Sequence, residues 1–525
     1  MVRRDAPVSV TAATARRVVL AAFAFQLVWF TGFFPPHNNP NELSRFEAVV
    51  AYVEGGTFSI DETVRRFGDQ MDKSVWNGRT YSNKAPGLIF AAIPVYRLLR
   101  VFFLQPREGW SFVFVLTRFF TVSLFCFLAL ARFARRVEAE ARAPGTGAAV
   151  ACAVAFGTPF LFYSRTFFSH AWTASLLFLA WDLIVRSEET PRRRSVFLFA
   201  AGLLAGWAAI SEYPAALVAL VLAARALAGA RGRRTSGAAF FAAGAVPALA
   251  LLAAYDAVCF GSPWRLSSAC EAFPAYATLA RRPLLGFGPP TLAGLLGTLF
   301  SPRRGVLVFS PFLLWSIGGW LSWWRSGRDR RDCFFTLAVA LTVWLPIAGY
   351  ANWDGGWSLG MRYLLPGLFF AAMPIPRALE TPLSRGLFLA AAAFSVALHT
   401  LASLSFAHYP NAIRWPVAAV SAWLLARGAV APNLGLLAGL SPWLSLLPAV
   451  VAVAAEFVVA VRRFPRTRPG VGMACALGVG ALVAVLFLPA PVWPSDSVWR
   501  ERMASDLRPG EGRTSDPHRY NSQSQ

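Results

Sequence analysis

The stretch NNPNELSRFEAVVAYVEGG, residues 38–56, sets the carboxylate of Glu42 beside Asn41 and three residues before Arg45, directly after the first long apolar run. A carboxylate held where water gives way to apolar surroundings loses solvation. Its pKa rises, and it can then take a proton from a hydroxyl near neutral pH. Asn39 or Asn41 can cap the helix that follows, and Glu42 in its first turn also complements the positive end of the helix dipole, so a structural role stands beside the catalytic one. Phe46, Val49, Val50 and Val53 make an apolar stripe on this helix, expected to face the membrane.

A second candidate is Lys84 in WNGRTYSNKAPG, residues 76–87. Asn77-Gly78 predicts a hairpin turn, RTYSNK a strand, and Pro86 the start of a helix. An ammonium next to free helix N–H groups is a phosphate site; it is equally a side chain that reaches the membrane interface. The only lysines are Lys73 and Lys84, in a chain that otherwise uses Arg. Arg118 lies inside the apolar run SFVFVLTRFFTVSLF. An isolated charge there costs about 3 kcal/mol, so it should face protein, a cavity or an anionic headgroup.

Three more segments carry unusual chemistry. FYSRTFFSHAW puts His170 at the start of a helix, as a packing or hydrogen-bonding residue or, given partners from elsewhere, a metal ligand. ISEYPA sets Glu212 and Tyr213 between closely spaced apolar runs, where Glu212 either touches a substrate or is solvated. NWDGGWSLGMRYLLP combines Asp354, Trp357 and Arg362 with Gly355, Gly356 and Gly360. Tryptophans at a membrane interface are ordinary, but this mixture also suits a sugar ring and a phosphate.

The elements that must hold these residues are membrane helices. The chain has 525 residues, 56% hydrophobic, 14% aromatic and 15% charged, which is too apolar for a soluble protein. The net charge of +23 comes from short Arg clusters between apolar runs, which excludes a nucleic-acid-binding face and reads as orientation. Clusters at 132–142, 186–194, 225–234, 325–331, 377–385 and 462–468, with the N-terminus, are expected on the cytoplasmic side. They imply about thirteen helices, near 18–34, 111–131, 146–163, 168–185, 196–211, 214–230, 236–258, 304–324, 333–350, 362–376, 386–405, 435–460 and 471–490. Residues 85–104 are assigned to an amphipathic helix in the outer interface, because counting them as a span would invert every later cluster. All the candidate residues then fall on the extracytoplasmic side. Six scattered cysteines indicate neither a disulfide framework nor a zinc site.

NELSRF, YSNKAPGL, Arg118 and GGWSLGMRYLLP together resemble the GT-C superfamily of membrane glycosyltransferases, which includes protein O-mannosyltransferases and the transferases that add aminoarabinose to lipid A. NELSRF is similar to the DE..RY segment that opens the first outer loop there, and YSNKAPGL to the KPP segment with its phosphate-contacting lysine. Arg118 is similar to an arginine heading an early span in the mannosyltransferases, and GGWSLGMRYLLP to a motif of bacterial members.

The resemblance implies an all-α polytopic protein with interfacial helices in the loop at 35–110. It also implies inverting transfer from a polyprenyl-phosphate sugar to a lipid, glycan or protein acceptor, in a bacterial inner or plasma membrane. Glu42 would be the base and Lys84, Arg118 and Arg362 the phosphate ligands; Asn41, Arg45, His170, Glu212, Tyr213, Asp354 and Trp357 complete the candidate substrate-binding set. No cofactor is required, and a divalent metal is compatible. Where those families have an Asp this chain has Asn41, which leaves Glu42, with Asp61 and Asp69 in reserve, and leaves open a catalytically inactive relative. A catalytic region over 1–405, a membrane region over 406–490 and a polar tail over 491–525 are expected. The rival reading is a transporter or lipid flippase, whose inverted repeats are not visible here.

Overall fold

The computed structural model describes residues 11–30, 39–102, 112–141, 145–229, 234–405, 407–411, 413–463 and 480. Helices dominate because a backbone in lipid must satisfy its own polar groups within the segment. Among the described residues, seven helices are long and apolar enough to cross a membrane by length and composition: Ala12–Trp29, Phe112–Glu140, Pro191–Ser211, Ser236–Phe260, Arg330–Ala348, Pro382–Ser403 and Pro442–Ala460. Shorter apolar helices occupy Thr146–Phe156, Ala215–Leu227 and Val417–Ala426. The protein is thus an integral membrane protein with multiple candidate spans.

Four expected spans are broken: 146–163 stops at Phe156 and restarts as Phe160–Tyr163, 435–460 is split between Leu434–Leu437 and Pro442–Arg463, and 304–324 and 362–376 are divided at prolines. Over 362–376 the chain makes a 3-10 turn at Arg362–Gly367, a short helix at Leu368–Ala372 and another turn at Ile375–Ala378. Pro366, Pro374 and Pro376 each remove a donor that a continuous helix would need. Pro311 likewise divides 304–324 into Val306–Phe309, Pro311–Leu314 and Trp315–Arg325. The expected span at 471–490, Gly480 apart, and the tail at 491–525 lie outside the described residues.

The Arg clusters fasten helix ends to one another. Asp182, buried, pairs with Arg132 at 2.8 Å and Arg136 at 2.7 Å. Arg225 pairs with Glu188 at 2.8 Å and Asp332 at 2.6 Å, and Arg331 also reaches Glu188.

The segment after α1 (Ala12–Trp29) carries regular structure outside the candidate spans. It comprises α2 (Pro40–Gly55), α3 (Asp61–Phe67), β1 (Lys73–Trp76), β2 (Arg79–Ser82) and α4 (Gly87–Phe102). β1 and β2 form the expected hairpin, antiparallel with Lys73 opposite Ser82 and Trp76 opposite Arg79. Asn77 and Gly78 both have positive φ, 48° and 74°, as a two-residue turn matching the strand twist requires.

The helix α2 departs from expectation. Its stripe does not face the membrane: every residue from Glu42 to Ala51 is buried inside the protein. Phe46 meets Phe67, Tyr96 and Phe114, so the apolar side is covered by α3, α4 and the Phe112–Glu140 helix. The far end is tied by Glu54, which accepts from Tyr96 Oη at 2.6 Å and pairs with Arg66 at 2.7 Å and Arg100 at 3.1 Å. Ser44 Oγ donates to the Asp72 carbonyl at 2.6 Å and lies 2.7 Å from Ser82 Oγ, which pins the hairpin to α2. The described part of α4 has sixteen residues and rises about 24 Å.

Candidate active site

At the N-terminus of α2, Pro40 stands in the first turn, where its missing N–H costs nothing, and sets the helix direction. Asn39 is the N-cap residue, but its side chain makes no capping bond. Its Nδ2 instead donates to Glu42 Oε2 at 2.7 Å and to His408 Nε2 at 3.0 Å. With both amide hydrogens used, His408 Nε2 is the acceptor and its ring is neutral. The other carboxylate oxygen of Glu42 accepts from the Phe167 backbone N–H.

Burial raises the Glu42 pKa; the Phe167 N–H, Arg118, Asn39 and Arg45 pull it back, and it comes to rest at about 7. Glu42 therefore exchanges its proton near neutral pH, as a general base must. His408, buried and facing the charge of Arg362, is held down at about 3.

One turn on, Arg45 Nη1 donates to Asn41, to its side-chain oxygen and to its carbonyl at 2.9 Å. Its Nη2 donates to Ser169 Oγ at 2.6 Å, and Ser169 in turn donates to Glu212. His170 Nδ1 lies 3.0 Å from Glu212 Oε1. Burial by itself would raise Glu212, but His170, Arg45 and Ser169 bring it down to about 2, so this carboxylate is charged. The acidic partner missing from the sequence around His170 is supplied by the end of the Arg194–Ser211 helix, where Glu212 is the C-cap. Arg45, depressed by burial, still titrates at about 10 and remains a cation.

Arg118 donates Nη1 to the Arg165 carbonyl and is close enough to lower the Glu42 pKa. Arg362 lies over the rings of Phe168 and Tyr363, at 5.3 and 5.4 Å, and Tyr363 meets the His170 ring edge-on at 5.5 Å. Arg45 Nε, Arg118 Nε and Arg362 Nε are buried and have no hydrogen-bond partner among the described residues.

Lys84 is neither loose at an interface nor free. It pairs with Asp72 at 2.9 Å, on the hairpin side of the site. Beside it, Asn83 Nδ2 donates to both oxygens of Glu271, at 2.7 and 2.9 Å. Glu271 is raised by burial to about 7, with Lys84 opposing and Asp72 reinforcing the shift. Tyr213 supports this side through Ser267 Oγ at 3.1 Å, which itself donates to the Asn83 carbonyl at 3.1 Å.

Asp354 and Arg362, the opposite charges of this loop, make separate contacts. Asp354 Oδ2 accepts from Asn411 at 2.9 Å, and Arg304 binds the Asp354 carbonyl. Trp357 is half-buried in the same loop. Gly360, at φ 57°, lets the chain turn against Pro159, which an added Cβ would meet at 2.7 Å. The reserve carboxylates have other work: Asp61 accepts from Ser59 at 2.6 Å and from the Thr80 N–H at 3.1 Å, and Asp69 pairs with Lys73. Among the described residues no group of three His, Cys, Asp or Glu side chains is placed to hold a metal ion.

Sequence reasoning missed Asp72, Glu271, His408, Arg165 and Arg304. The loops that hold four of them stand out by composition, FSPRRG and AHYPNAIRWP among them, but the partners are 47 to 369 residues distant.

The chain is structurally similar to GT-C glycosyltransferases over most of its length. ArnT from Cupriavidus metallidurans bound to undecaprenyl phosphate matches at 14% identity and TM-score 0.42, over 89% of this chain and 77% of that one. The Archaeoglobus fulgidus oligosaccharyltransferase in the apo form matches at 13% and 0.42, over 96% of this chain and 61% of that one. Arabinosyltransferase EmbB from Mycobacterium smegmatis matches at 14% and 0.42, over 99% and 44%. No protein-family model matches the chain, and no curated protein matches it.

Proposed function

We propose that this protein is an inverting glycosyltransferase that moves a sugar from a polyprenyl-phosphate carrier to an acceptor hydroxyl on the extracytoplasmic face. The observation that supports this reading is a buried carboxylate, Glu42, raised to about 7 next to guanidinium groups whose Nε–H donors are unused. A phosphate oxygen is a strong acceptor for such guanidinium donors.

In this reading Glu42 takes the acceptor O–H proton as that oxygen attacks the anomeric carbon. The bond between that carbon and the phosphate oxygen breaks, its electron pair leaves with the oxygen, and the configuration at carbon inverts. Arg118 and Arg362, with Lys84 exchanging Asp72 for the donor, neutralise the charge that grows on the leaving phosphate. Arg45, locked by Ser169 and Glu212, keeps Asn41 and the first turn of α2 in place.

The test is incubation of the purified protein with polyprenyl-phosphate sugars labelled in the sugar, followed by separation of carrier from product. Label moving to an acceptor with release of the polyprenyl phosphate supports the reading. Label crossing a bilayer while still on its carrier would favour a flippase instead.

A further inference from the structure

The connection between the Ser236–Phe260 and Val306–Phe309 helices holds a nine-residue helix, Leu292–Phe300, too short to cross a membrane but apolar: in LAGLLGTLF the one polar side chain is Thr298. Thr291 caps its start by accepting from the Gly294 N–H at 3.0 Å. One face is fastened to the Arg330–Ala348 candidate span. The Thr291 N–H donates to the Ala348 carbonyl at 3.2 Å, and the Trp344 indole N–H donates to Thr298 Oγ1 at 2.9 Å. Contact is close because Gly294 and Gly297 lie on this side: an added Cβ would run into the Ala348 carbonyl at the first and the Trp353 ring at the second. Positions 291 and 298 meet 348 and 344, so the two helices run antiparallel, and Leu292–Phe300 descends along the span from its Ala348 end.

The other face is apolar and uncovered. Leu292, Leu296 and Phe300, each one turn from the next and so on one side of the helix, are 72%, 51% and 54% exposed. At matching levels along the span, Leu341 and Leu345 are exposed as well. Nine residues rise about 13 Å, close to half of a hydrocarbon core of about 30 Å, so the helix can reach into one leaflet and no further. A chain that turns back at that depth needs its polar groups met by protein. The Ser301 and Gly305 N–H groups donate to the Gly297 and Ser301 carbonyls, and Arg304, 2% exposed, donates to the Asp354 and Tyr409 carbonyls and to Asn411.

We propose that Leu292–Phe300 is a re-entrant helix inserted in the bilayer, with Leu292, Leu296 and Phe300 against the acyl chains of one leaflet. There it forms the wall between lipid and the loop that carries Trp353, Asp354 and Arg362. This insertion depends neither on sugar transfer nor on which residue is the base.

The test uses the full chain in phospholipid nanodiscs, with the native cysteines replaced and a nitroxide attached to Leu296→Cys. Collisions with oxygen, which dissolves among acyl chains, are compared with collisions with a water-soluble nickel chelate. Leu345→Cys on the span gives the value for lipid, and Thr190→Cys, exposed in an Arg-rich connection, gives the value for water. The oxygen-to-nickel ratio at 296 should match that at 345 and exceed that at 190 by about tenfold or more, since a polar complex is kept out of hydrocarbon. Should Leu296→Cys fail to fold, Phe300→Cys reads the same face one turn on, and the same ratio is expected. A ratio at the water value puts the helix outside the bilayer, and few collisions with either probe put it under protein, such as a second copy; both results overturn the proposal.

Discussion

Asn39 Nδ2 lies 2.7 Å from Glu42 Oε2 while its second hydrogen is taken by His408 Nε2 at 3.0 Å. A residue that sequence rules assign to helix capping thus holds the carboxylate from one side and is itself held from the other. Asn39→Ala removes a donor that lowers the Glu42 pKa. The expected outcome is a transfer rate about tenfold lower at pH 7, for the loss of a charge-assisted hydrogen bond of about 1.5 kcal/mol. The pH profile should also move upward, which a loss of packing alone would not produce.

The profile itself follows from Glu42. Its pKa in the folded chain is about 7 against an ordinary 4.5, and only the ionised form accepts a proton. The rate should rise about tenfold per pH unit below 7 and level off above it. Stability runs the other way. Between 4.5 and 7 the folded chain holds this proton more tightly than the unfolded chain, so the contribution of Glu42 to stability falls as the pH rises through the folded pKa. Initial rates and thermal unfolding over pH 5.5–8.5, a window of about three units around the folded pKa, check both signs.

Away from the site, Asp182 joins the Phe112–Glu140 and Ser169–Glu189 helices by pairing with Arg132 and Arg136. Asp182→Asn leaves two guanidinium groups sharing a neutral partner. Both arginines are partly exposed, so the cost is below that of a fully buried pair, about 2 kcal/mol. Thermal unfolding in detergent should show a lowered midpoint, with transfer per folded molecule unchanged.

Much of this was legible beforehand. The hairpin followed from Asn77-Gly78, the helix after Pro86 from that proline, and α2 from the apolar spacing of Phe46, Val49, Val50 and Val53. What that spacing could not say is which surface covers it, because Phe67, Tyr96 and Phe114 apply the same apolar chemistry as lipid would. Continuous spans over 304–324 and 362–376 were overestimated since hydropathy outweighed the prolines inside them. Within the site, Glu42 and Arg118 stood out as charges in apolar settings and Arg45 through the NELSRF resemblance, whereas the bond between His170 and Glu212, and that between Asn39 and His408, join segments far apart in sequence.

The topology proposed from the Arg clusters can be tested directly. Val75 on β1 is exposed at 48%, and Thr190 is exposed in an Arg-rich connection. Cysteines placed at the two positions, in a background without native cysteines, should react with an impermeant maleimide from opposite sides of sealed vesicles. Labelling of both from one side would contradict the extracytoplasmic placement of α2.

The most direct measurement is the initial rate of sugar transfer from a labelled polyprenyl-phosphate donor by wild type and by Glu42→Gln at pH 8, each scored per folded molecule. Loss of the base should cut the rate by about 100-fold or more while donor binding persists. Transfer by Glu42→Gln at the wild-type rate would contradict the account.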